Sequence, residues 1–401
     1  MENIQKTGKF EIKVSTLITV CLYLLILIGS MNAMESSLKI VGLLSLISTL
    51  LVSTIGILIF IFVKKNFLPL QFIILFIIII STVVCFFSVI NNRYDLKDLI
   101  NTLQMLSCFN LLVFVSCIKF DYSKLKFINL FVTLFITFHF IIWIISGCPR
   151  MFASIYNNSN LIGPYMFYSS FFLILGFRYS KKKLLYSLIL FMSFILILAS
   201  DARSILLSVF VSIVIFSFWK YISKSQILSF IFFILLISAI LMFVFVYPIL
   251  PTFSFFNSAE QWMVTHTGKS IMSGRNVLWV PLIEMINQKL FLGYGPGTLA
   301  SDLIATDQSP HNLYLNILMQ IGYIGLFLNI LLFLVIWHGL TKLRNNFIAR
   351  LVGSYFVGIL VHQSFEITLF QNQLSVGLLQ WFILAVGLSV VIETSLSKNH
   401  K

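Results

Sequence analysis

The sequence contains little charge: Asp, Glu, Lys and Arg make up only 10% of its 401 residues, and just 13 residues are acidic. An ordinary soluble domain has about 25% charged residues. Hydrophobic residues reach 59% of the chain, and the mean hydropathy is +1.01. This composition excludes a water-soluble globular protein and indicates an integral membrane protein.

Cysteine is also scarce, and the five cysteines have no paired spacing. Cys148 lies in a predicted loop, whereas the other four lie inside apolar runs and are interpreted as packing residues. The set provides neither a disulfide framework nor a zinc site. The four cysteines inside apolar runs are Cys21, Cys85, Cys108 and Cys117.

Long polar stretches are missing, so residues 1–401 are predicted to form a single polytopic membrane domain. Windows of about 19 residues find about twelve apolar segments. Helices are expected because the backbone must satisfy its own hydrogen bonds in lipid, and the alternation typical of an outer-membrane barrel is absent. The predicted fold is therefore all-α. The segments are 14–33, 38–63, 67–90, 99–118, 127–146, 161–177, 184–200, 204–219, 226–247, 313–337, 347–369 and 373–392.

The basic residues are distributed unevenly between the two sides of the membrane. With both termini in the cytoplasm, alternate counting leaves 8 of the 27 on the outer side and 19 on the inner side. The net charge of +14 then reflects topology and contact with membrane lipids, and requires no nucleic acid partner. Lys6, Lys9 and Lys13 precede the first segment, which is interpreted as a signal anchor.

One connection is long: residues 248–312, about 65 residues, are predicted to lie on the outer side. A loop of this length is usually functional or disordered. Residues 276–291 have an amphipathic helical pattern, which predicts a helix lying on the membrane surface or capping a cavity. Pro281 either kinks this helix or marks its first turn.

Two arginines at the outer side are candidate anion ligands. Arg203 lies in a tight connection between two apolar segments, against the prevailing charge bias, and either ends a span, pairs with Asp201 or binds a ligand. Arg275 follows Gly274 at a predicted helix start, where it either caps the helix or binds an anion. Together the two guanidinium groups suit a pyrophosphate.

Three further ionisable residues are candidates for the same region. His311 lies where the long loop re-enters the membrane, and a neutral imidazole there can accept a proton from a sugar hydroxyl or donate hydrogen bonds to a phosphate, or simply cap or pack. His362 and Glu366, one helical turn apart in the eleventh segment, are expected to line a cavity, either as a mutual pair or as part of the site. A metal site made by these three residues is the less favoured alternative, since no ligand spacing supports it.

The glycine-rich run Gly293-Tyr294-Gly295-Pro296-Gly297 invites comparison with a phosphate-binding loop. No strand precedes it and no long helix follows it directly, so nucleotide binding is not supported. A structured turn that lets the backbone approach a ligand or another helix is favoured. The sequence shows no motif for a cofactor.

Four motifs, in this order, resemble the O-antigen ligase and Wzy-type polysaccharide polymerase superfamily over about residues 155–370. They are Asp201-Ala202-Arg203-Ser204, then Ser273-Gly274-Arg275-Asn276-Val277-Leu278-Trp279, then Phe291-Leu292-Gly293-Tyr294-Gly295-Pro296-Gly297, and His311-Asn312-Leu313-Tyr314.

The resemblance implies a metal-independent, GT-C-like membrane glycosyltransferase in the bacterial cytoplasmic membrane, with its active site facing outside. Its donor would be an undecaprenyl-pyrophosphate-linked oligosaccharide. On this sequence, Arg203 and Arg275 would bind the pyrophosphate, and His311 would activate or orient the acceptor hydroxyl. The remaining substrate contacts would be Asn312, Tyr314, Gly293, Gly295, Gly297, His362 and Glu366.

Polymerases and ligases share these motifs, and repeat-unit polymerisation of a capsule, exopolysaccharide or O-antigen is favoured. The alternatives are an O-antigen ligase that transfers glycan to lipid A core or protein, and a cell-wall glycan polymerase. A flippase or secondary transporter is disfavoured, because no internal repeat relates the two halves. A chain-length regulator and a flippase are candidate protein partners.

Overall fold

The computed structural model describes residues 14–63, 68–92, 95–268, 270–272 and 274–399. Within these ranges the chain forms α-helices, short 3-10 turns and no strand. The helices are α1 (Val14–Gly29), α2 (Leu38–Val63), α3 (Pro69–Asn91), α4 (Leu96–Ser116), α5 (Tyr122–Ile145), α6 (Ile162–Tyr179), α7 (Lys183–Ala199), α8 (Arg203–Ile222), α9 (Gln226–Val246), α10 (Phe256–Thr267), α11 (Arg275–Gln288), α12 (Leu313–Thr341), α13 (Phe347–His362) and α14 (Leu374–Asn399).

Some residues of the sequence-based predictions lie outside the described ranges. They include the N-terminal lysines of the predicted signal anchor and Ser273 of the second motif. The others are residue 67, with which the third predicted segment begins, and five of the counted basic residues: Lys64, Lys65, Arg93, Lys269 and Lys401.

Among the described residues, ten helices are long and apolar enough to cross a membrane. The prediction of an all-α integral membrane protein is confirmed. Each of the twelve predicted segments coincides with an apolar helix, but α7 and α13 are shorter than the ten candidate spans, the first of which combines α1 with the 3-10 turn that follows it. The crossing number of twelve, with both termini inside, stays a prediction.

The apolar helices differ in how deeply they are buried. In α14, all residues of the 18-residue apolar stretch are buried inside the protein, and in the span that contains α6 the buried share of such a stretch is 83%. Both helices are buried on nearly all sides, as expected of helices at the centre of a bundle. In α2, α5, α8 and α9 only 28% is buried, so most of their apolar side chains face outward, as lipid contact requires.

Several helix boundaries follow from local capping. Asp95 and Asp121 accept hydrogen bonds from the backbone N–H groups of Lys97 and Lys124, at 3.0 and 3.2 Å. These carboxylates satisfy N–H groups that lack helical partners. As a result α4 and α5 begin at Leu96 and Tyr122, earlier than the predicted 99 and 127.

The eleventh segment ends earlier than predicted. It was expected to span 347–369, but α13 ends at His362. The amide oxygen of Gln363 accepts hydrogen bonds from the backbone N–H groups of Thr368 and Leu369, at 3.1 and 3.2 Å, and these bonds fold the chain into a loop. Glu366 therefore lies in the loop between α13 and α14 and not on the helix.

Basic side chains join the helix ends at one end of the bundle. The Arg344 guanidinium donates to the carbonyl of Lys220 at 3.1 Å, and that of Arg350 donates to the carbonyl of Phe216 at 2.7 Å. The end of α8 therefore meets the connection between α12 and α13. This is the predicted inner end, and its orientation in the membrane stays a prediction.

The long loop 248–312 is folded, as predicted, and contains α10 and α11. Helix α11 lies at 275–288, close to the predicted 276–291, and Pro281 lies within it rather than in its first turn.

The segment after α11 docks against a break in α12 at Gly322, where φ is 64° and ψ is −166°. The freed backbone groups bond to the loop: Tyr323 N–H donates to Leu290 O at 2.8 Å, and Gly295 N–H donates to Gln320 O at 2.9 Å. This conformation is essentially restricted to glycine.

We predict that Gly322→Ala destabilises the protein much more than Gly147→Ala. At Gly322 an added Cβ would clash with the carbonyl group of Phe291, whereas at Gly147 (φ 80°) it would meet nothing within 4 Å. We expect losses in the free energy of unfolding of about 3 kcal/mol or more at Gly322 and about 1 kcal/mol at Gly147.

The measurement is the apparent midpoint of thermal unfolding of the purified variants in detergent, followed by tryptophan fluorescence. Equal midpoints for the two variants would show that the break in α12 is not a stabilising feature.

Candidate active site

A cleft of about 380 Å³ lies where α8 and α11 begin, at the end of the bundle that carries the long loop. Arg203 and Arg275 both line it, so the two candidate anion ligands lie at one cleft; anion binding there stays a prediction. Asp201 and Glu366 line the same cleft, so it contains two guanidinium groups and two carboxylates.

Arg203 reaches this cleft because of the sharp turn between α7 and α8. Asp201 has a φ of 55°, in the left-handed region that Asp tolerates better than most residues, and α8 begins two residues later. The Arg203 guanidinium donates a hydrogen bond to the carbonyl of Ser270 at 3.2 Å. The arginine thus connects the start of α8 to the long loop.

Arg275 is positioned by the left-handed Gly274 (φ 76°), which lets the chain turn into α11. Its guanidinium donates to the carbonyl of Phe365 at 3.1 Å and lies over the ring of Phe365, 5.3 Å from the ring centroid. A guanidinium has five N–H donors in a planar fork. The hydrogen bond and the ring contact orient the guanidinium of Arg275, which lines the cleft.

His311 and Glu366 form a hydrogen-bonded pair at the edge of the cleft. The distance between His311 Nδ1 and Glu366 Oε2 is 3.2 Å, and the exposed fractions of the two side chains are 41% and 20%. When Nδ1 carries the proton and donates to the carboxylate, Nε2 remains an acceptor. A histidine in this arrangement can act as a base while the carboxylate orients its ring.

The structure does not bring Asn312 and Tyr314 to the cleft. Asn312 caps α12 by accepting from Leu315 N–H at 3.0 Å, and its amide donates to Ser364 O at 2.9 Å. The Tyr314 hydroxyl donates to Leu360 O at 2.8 Å. Both side chains are buried, so in this structure they join α12 to α13.

The glycine-rich turn also lies away from the two arginines. Gly297 N–H donates to the carboxylate of Asp98 at 2.6 Å, and a Cβ at Gly295 would lie 2.7 Å from the same carboxylate. The turn thus packs closely on the start of α4, which confirms the interpretation of a turn that approaches another helix.

The side chains of His362 and Glu366 have different partners, although the Glu366 backbone N–H donates to the carbonyl of His362 at 3.1 Å. The His362 ring is buried, and Nδ1 is 3.2 Å from the hydroxyl of Tyr168. Across residues 14–63, 68–92, 95–268, 270–272 and 274–399, no three His, Cys, Asp or Glu side chains form a group that could hold a metal ion. The alternative metal site of His311, His362 and Glu366 is therefore not assembled.

Other residues of the cleft carried no clear signal in the sequence. Tyr247 follows α9, and its hydroxyl donates to Ile271 O at 2.5 Å. Phe365 lies in the loop that a longer helix was predicted to occupy. Asn160, in the short 3-10 turn directly before α6, also lines the cleft.

Residues 188–330 match a family model described as O-antigen ligase. This match supports the resemblance to the O-antigen ligase and Wzy-type polymerase superfamily over that stretch of the chain. The stretch extends from α7 into α12 and contains Arg203, Arg275 and His311. Members of the superfamily are membrane glycosyltransferase-like enzymes, both ligases and polymerases. No curated protein matches the chain.

We predict that Arg203→Lys and Arg275→Lys each weaken binding of inorganic pyrophosphate about tenfold, because an ammonium cannot replace the bidentate fork. Isothermal titration calorimetry on the purified protein in detergent measures the dissociation constant. The matched control is Arg350→Lys: Arg350 also donates to a phenylalanine carbonyl and covers that ring, but at the other end of the bundle. Equal affinities for all three variants would exclude the cleft as the pyrophosphate site.

Proposed function

We propose that this protein is a polysaccharide polymerase that transfers glycan from an undecaprenyl-pyrophosphate donor to a lipid-linked acceptor at the outer face of the cytoplasmic membrane. The observation that carries the proposal is the meeting, in one cleft, of two arginines with the carboxylate partner of His311. The products would be repeat units joined into a capsule, an exopolysaccharide or an O-antigen.

The two arginines supply what the leaving group needs. When an acceptor hydroxyl attacks the anomeric carbon of the donor sugar, the bond between that carbon and the pyrophosphate oxygen breaks, and the electron pair stays on the pyrophosphate. Fixed cations beside the departing oxygen stabilise this charge in the transition state. Guanidinium groups remain charged at every physiological pH, so the proposal includes no metal ion.

His311 supplies the base. The proton of the attacking hydroxyl passes to Nε2, while Nδ1–H donates to Glu366 and the carboxylate stabilises the imidazolium that forms. Because Glu366 also lines the arginine cleft, the base lies at the edge of the donor site. The acceptor then approaches from the side of His311.

A ligase would use the same cleft to transfer glycan to lipid A core or protein, and the family match agrees with either activity. We propose repeat-unit polymerisation because a ligase requires, in addition to the lipid-linked donor, an acceptor in the outer membrane or a protein acceptor. A chain-length regulator and a flippase are the proposed protein partners.

We predict that a deletion strain complemented with Arg203→Ala, Arg275→Ala or His311→Ala produces only single repeat units, whereas the wild-type gene restores a ladder. The measurement is the size distribution of surface and lipid-linked glycan, with protein levels checked. His266→Ala is a matched control, since His266 is an exposed histidine of the same long loop.

Two results would contradict this proposal. A normal ladder from all three variants would remove these residues from the mechanism. Accumulation of lipid-linked polymer in the deletion strain, with no glycan on its final acceptor, would show that the protein is a ligase.

We further predict that Glu366→Gln lowers kcat about tenfold to a hundredfold without raising KM, because the neutral amide no longer stabilises the protonated imidazole. Initial rates of the purified protein with lipid-linked substrate give both constants. Glu284→Gln on the exposed face of α11 is the control and should match the wild type. An unchanged kcat for Glu366→Gln would exclude this role of the pair.

A further inference from the structure

A larger cleft, of about 760 Å³, lies between α2 and α4 on a different side of the bundle. Its walls are aliphatic, with Leu43, Ile47 and Leu51 from α2 and Ile100 and Leu103 from α4. Each of these five side chains is about half exposed. This groove is therefore open to the lipid that surrounds the apolar helices.

The groove is closed toward the predicted inner side. The amide of Asn110 on α4 donates to the hydroxyl of Thr54 on α2 at 3.2 Å, and Gly56 lies against the ring of Phe114. From Leu43 to Thr54 the helix rises about 16 Å, which is about half of the ~30 Å hydrocarbon core. The groove is thus as deep as one leaflet of a membrane.

The open end of the groove is polar. Asn101, Gln104, Gln371 and Asn372 line it, and each of these amides already donates a hydrogen bond within the protein. A primary amide has two N–H donors and an acceptor oxygen, so it can also bond to a sugar hydroxyl. The Asn101 amide is held by a hydrogen bond to Pro296 O at 3.1 Å. The first turns of the two helices also carry exposed lysines, Lys39 and Lys97. An anionic lipid with a sugar headgroup matches this arrangement of groups.

The same loop lines this groove and the arginine cleft. Between α13 and α14, Glu366 lines the cleft with the arginines, whereas Gln371 and Asn372 line the groove. The Asn372 amide donates to the hydroxyl of Ser309 at 3.4 Å, two residues before His311. The pair of His311 and Glu366 therefore lies on the segments that separate the two spaces.

We propose that the groove between α2 and α4 binds the polyprenyl chain of the lipid-linked acceptor, with the first sugars of its glycan at the amide groups. This inference rests on the proposed function, because it gives a place to the second substrate of that reaction. The pyrophosphate of the donor occupies the arginine cleft, and the acceptor hydroxyl reaches His311 from the other side. A groove between one pair of helices accommodates the single chain of a polyprenyl carrier better than the several acyl chains of lipid A core. This favours a polymerase, whose acceptor is carried on a polyprenyl chain.

The first test uses the full chain with a photoreactive benzoylphenylalanine at position 47 or position 58. Leu58 is the matched control: it lies about three turns further along α2, on the same helix face, is half exposed and does not line the groove. The protein is reconstituted in phosphatidylglycerol vesicles that contain an undecaprenyl-pyrophosphate-linked monosaccharide, and mass spectrometry identifies the crosslinked lipid. We expect position 47 to capture the glycolipid about tenfold more than position 58. Capture of phosphatidylglycerol alone at position 47 would overturn the inference.

The second test fills the groove. Ile47→Trp should reduce polymer yield about tenfold, while Leu58→Trp should not, because a larger side chain displaces the lipid chain from the groove. Pyrophosphate affinity should stay unchanged in both variants. A normal ladder from Ile47→Trp would overturn the inference.

The two proposals fail in different ways. If Arg203→Ala and Arg275→Ala abolish the ladder but position 47 captures only phosphatidylglycerol, the groove inference alone fails. If those arginine variants keep a normal ladder, the proposed function fails, even where position 47 still captures the glycolipid.

Discussion

The junction between α12 and α13 is the constraint on which the candidate site depends. Leu313 N–H donates to Gln363 O at 2.9 Å, the Asn312 amide donates to Ser364 O, and the Tyr314 hydroxyl donates to Leu360 O. These buried bonds hold the end of the long loop against the loop that follows α13. As a consequence His311 lies beside Glu366, although the two residues are 55 positions apart in the sequence. Because an unpaired buried polar group is costly, the junction is well determined.

The second constraint fixes Arg275 relative to that pair. The Trp279 indole on α11 donates to Pro310 O at 2.7 Å, directly before His311, and Arg275 itself bonds to Phe365 O, directly before Glu366. Helix α11 is thus tied to both segments that carry the candidate base and its carboxylate partner. The break in α12 at Gly322 supplies the remaining attachment, by offering backbone groups to which the chain after α11 bonds.

Features set by local sequence could be predicted, whereas features set by distant contacts could not. The apolar segments, the folded long loop and the helix starts at Arg203 and Arg275 follow from hydropathy, charge and the glycine before a helix. The end of α13 depends on the amide of Gln363 reaching residues five and six positions later. Asn312 and Tyr314 resembled ligand contacts in the sequence, but their partners are carbonyl groups that only the folded chain brings near. The sequence does not indicate the groove between α2 and α4, because both helices have the hydropathy of ordinary membrane-spanning segments.

The position of Glu366 links two events of the proposed reaction, proton transfer to His311 and departure of the pyrophosphate. A carboxylate beside a pyrophosphate site opposes anion binding, so Glu366 must be balanced by a cation when the leaving group becomes most negative. Before the reaction, the guanidinium of Arg275 at the neighbouring carbonyl provides part of that balance. When His311 accepts the proton of the acceptor hydroxyl, an imidazolium forms against the same carboxylate. The positive charge therefore increases at the edge of the cleft in the step in which the pyrophosphate departs, and proton transfer and departure of the leaving group favour each other.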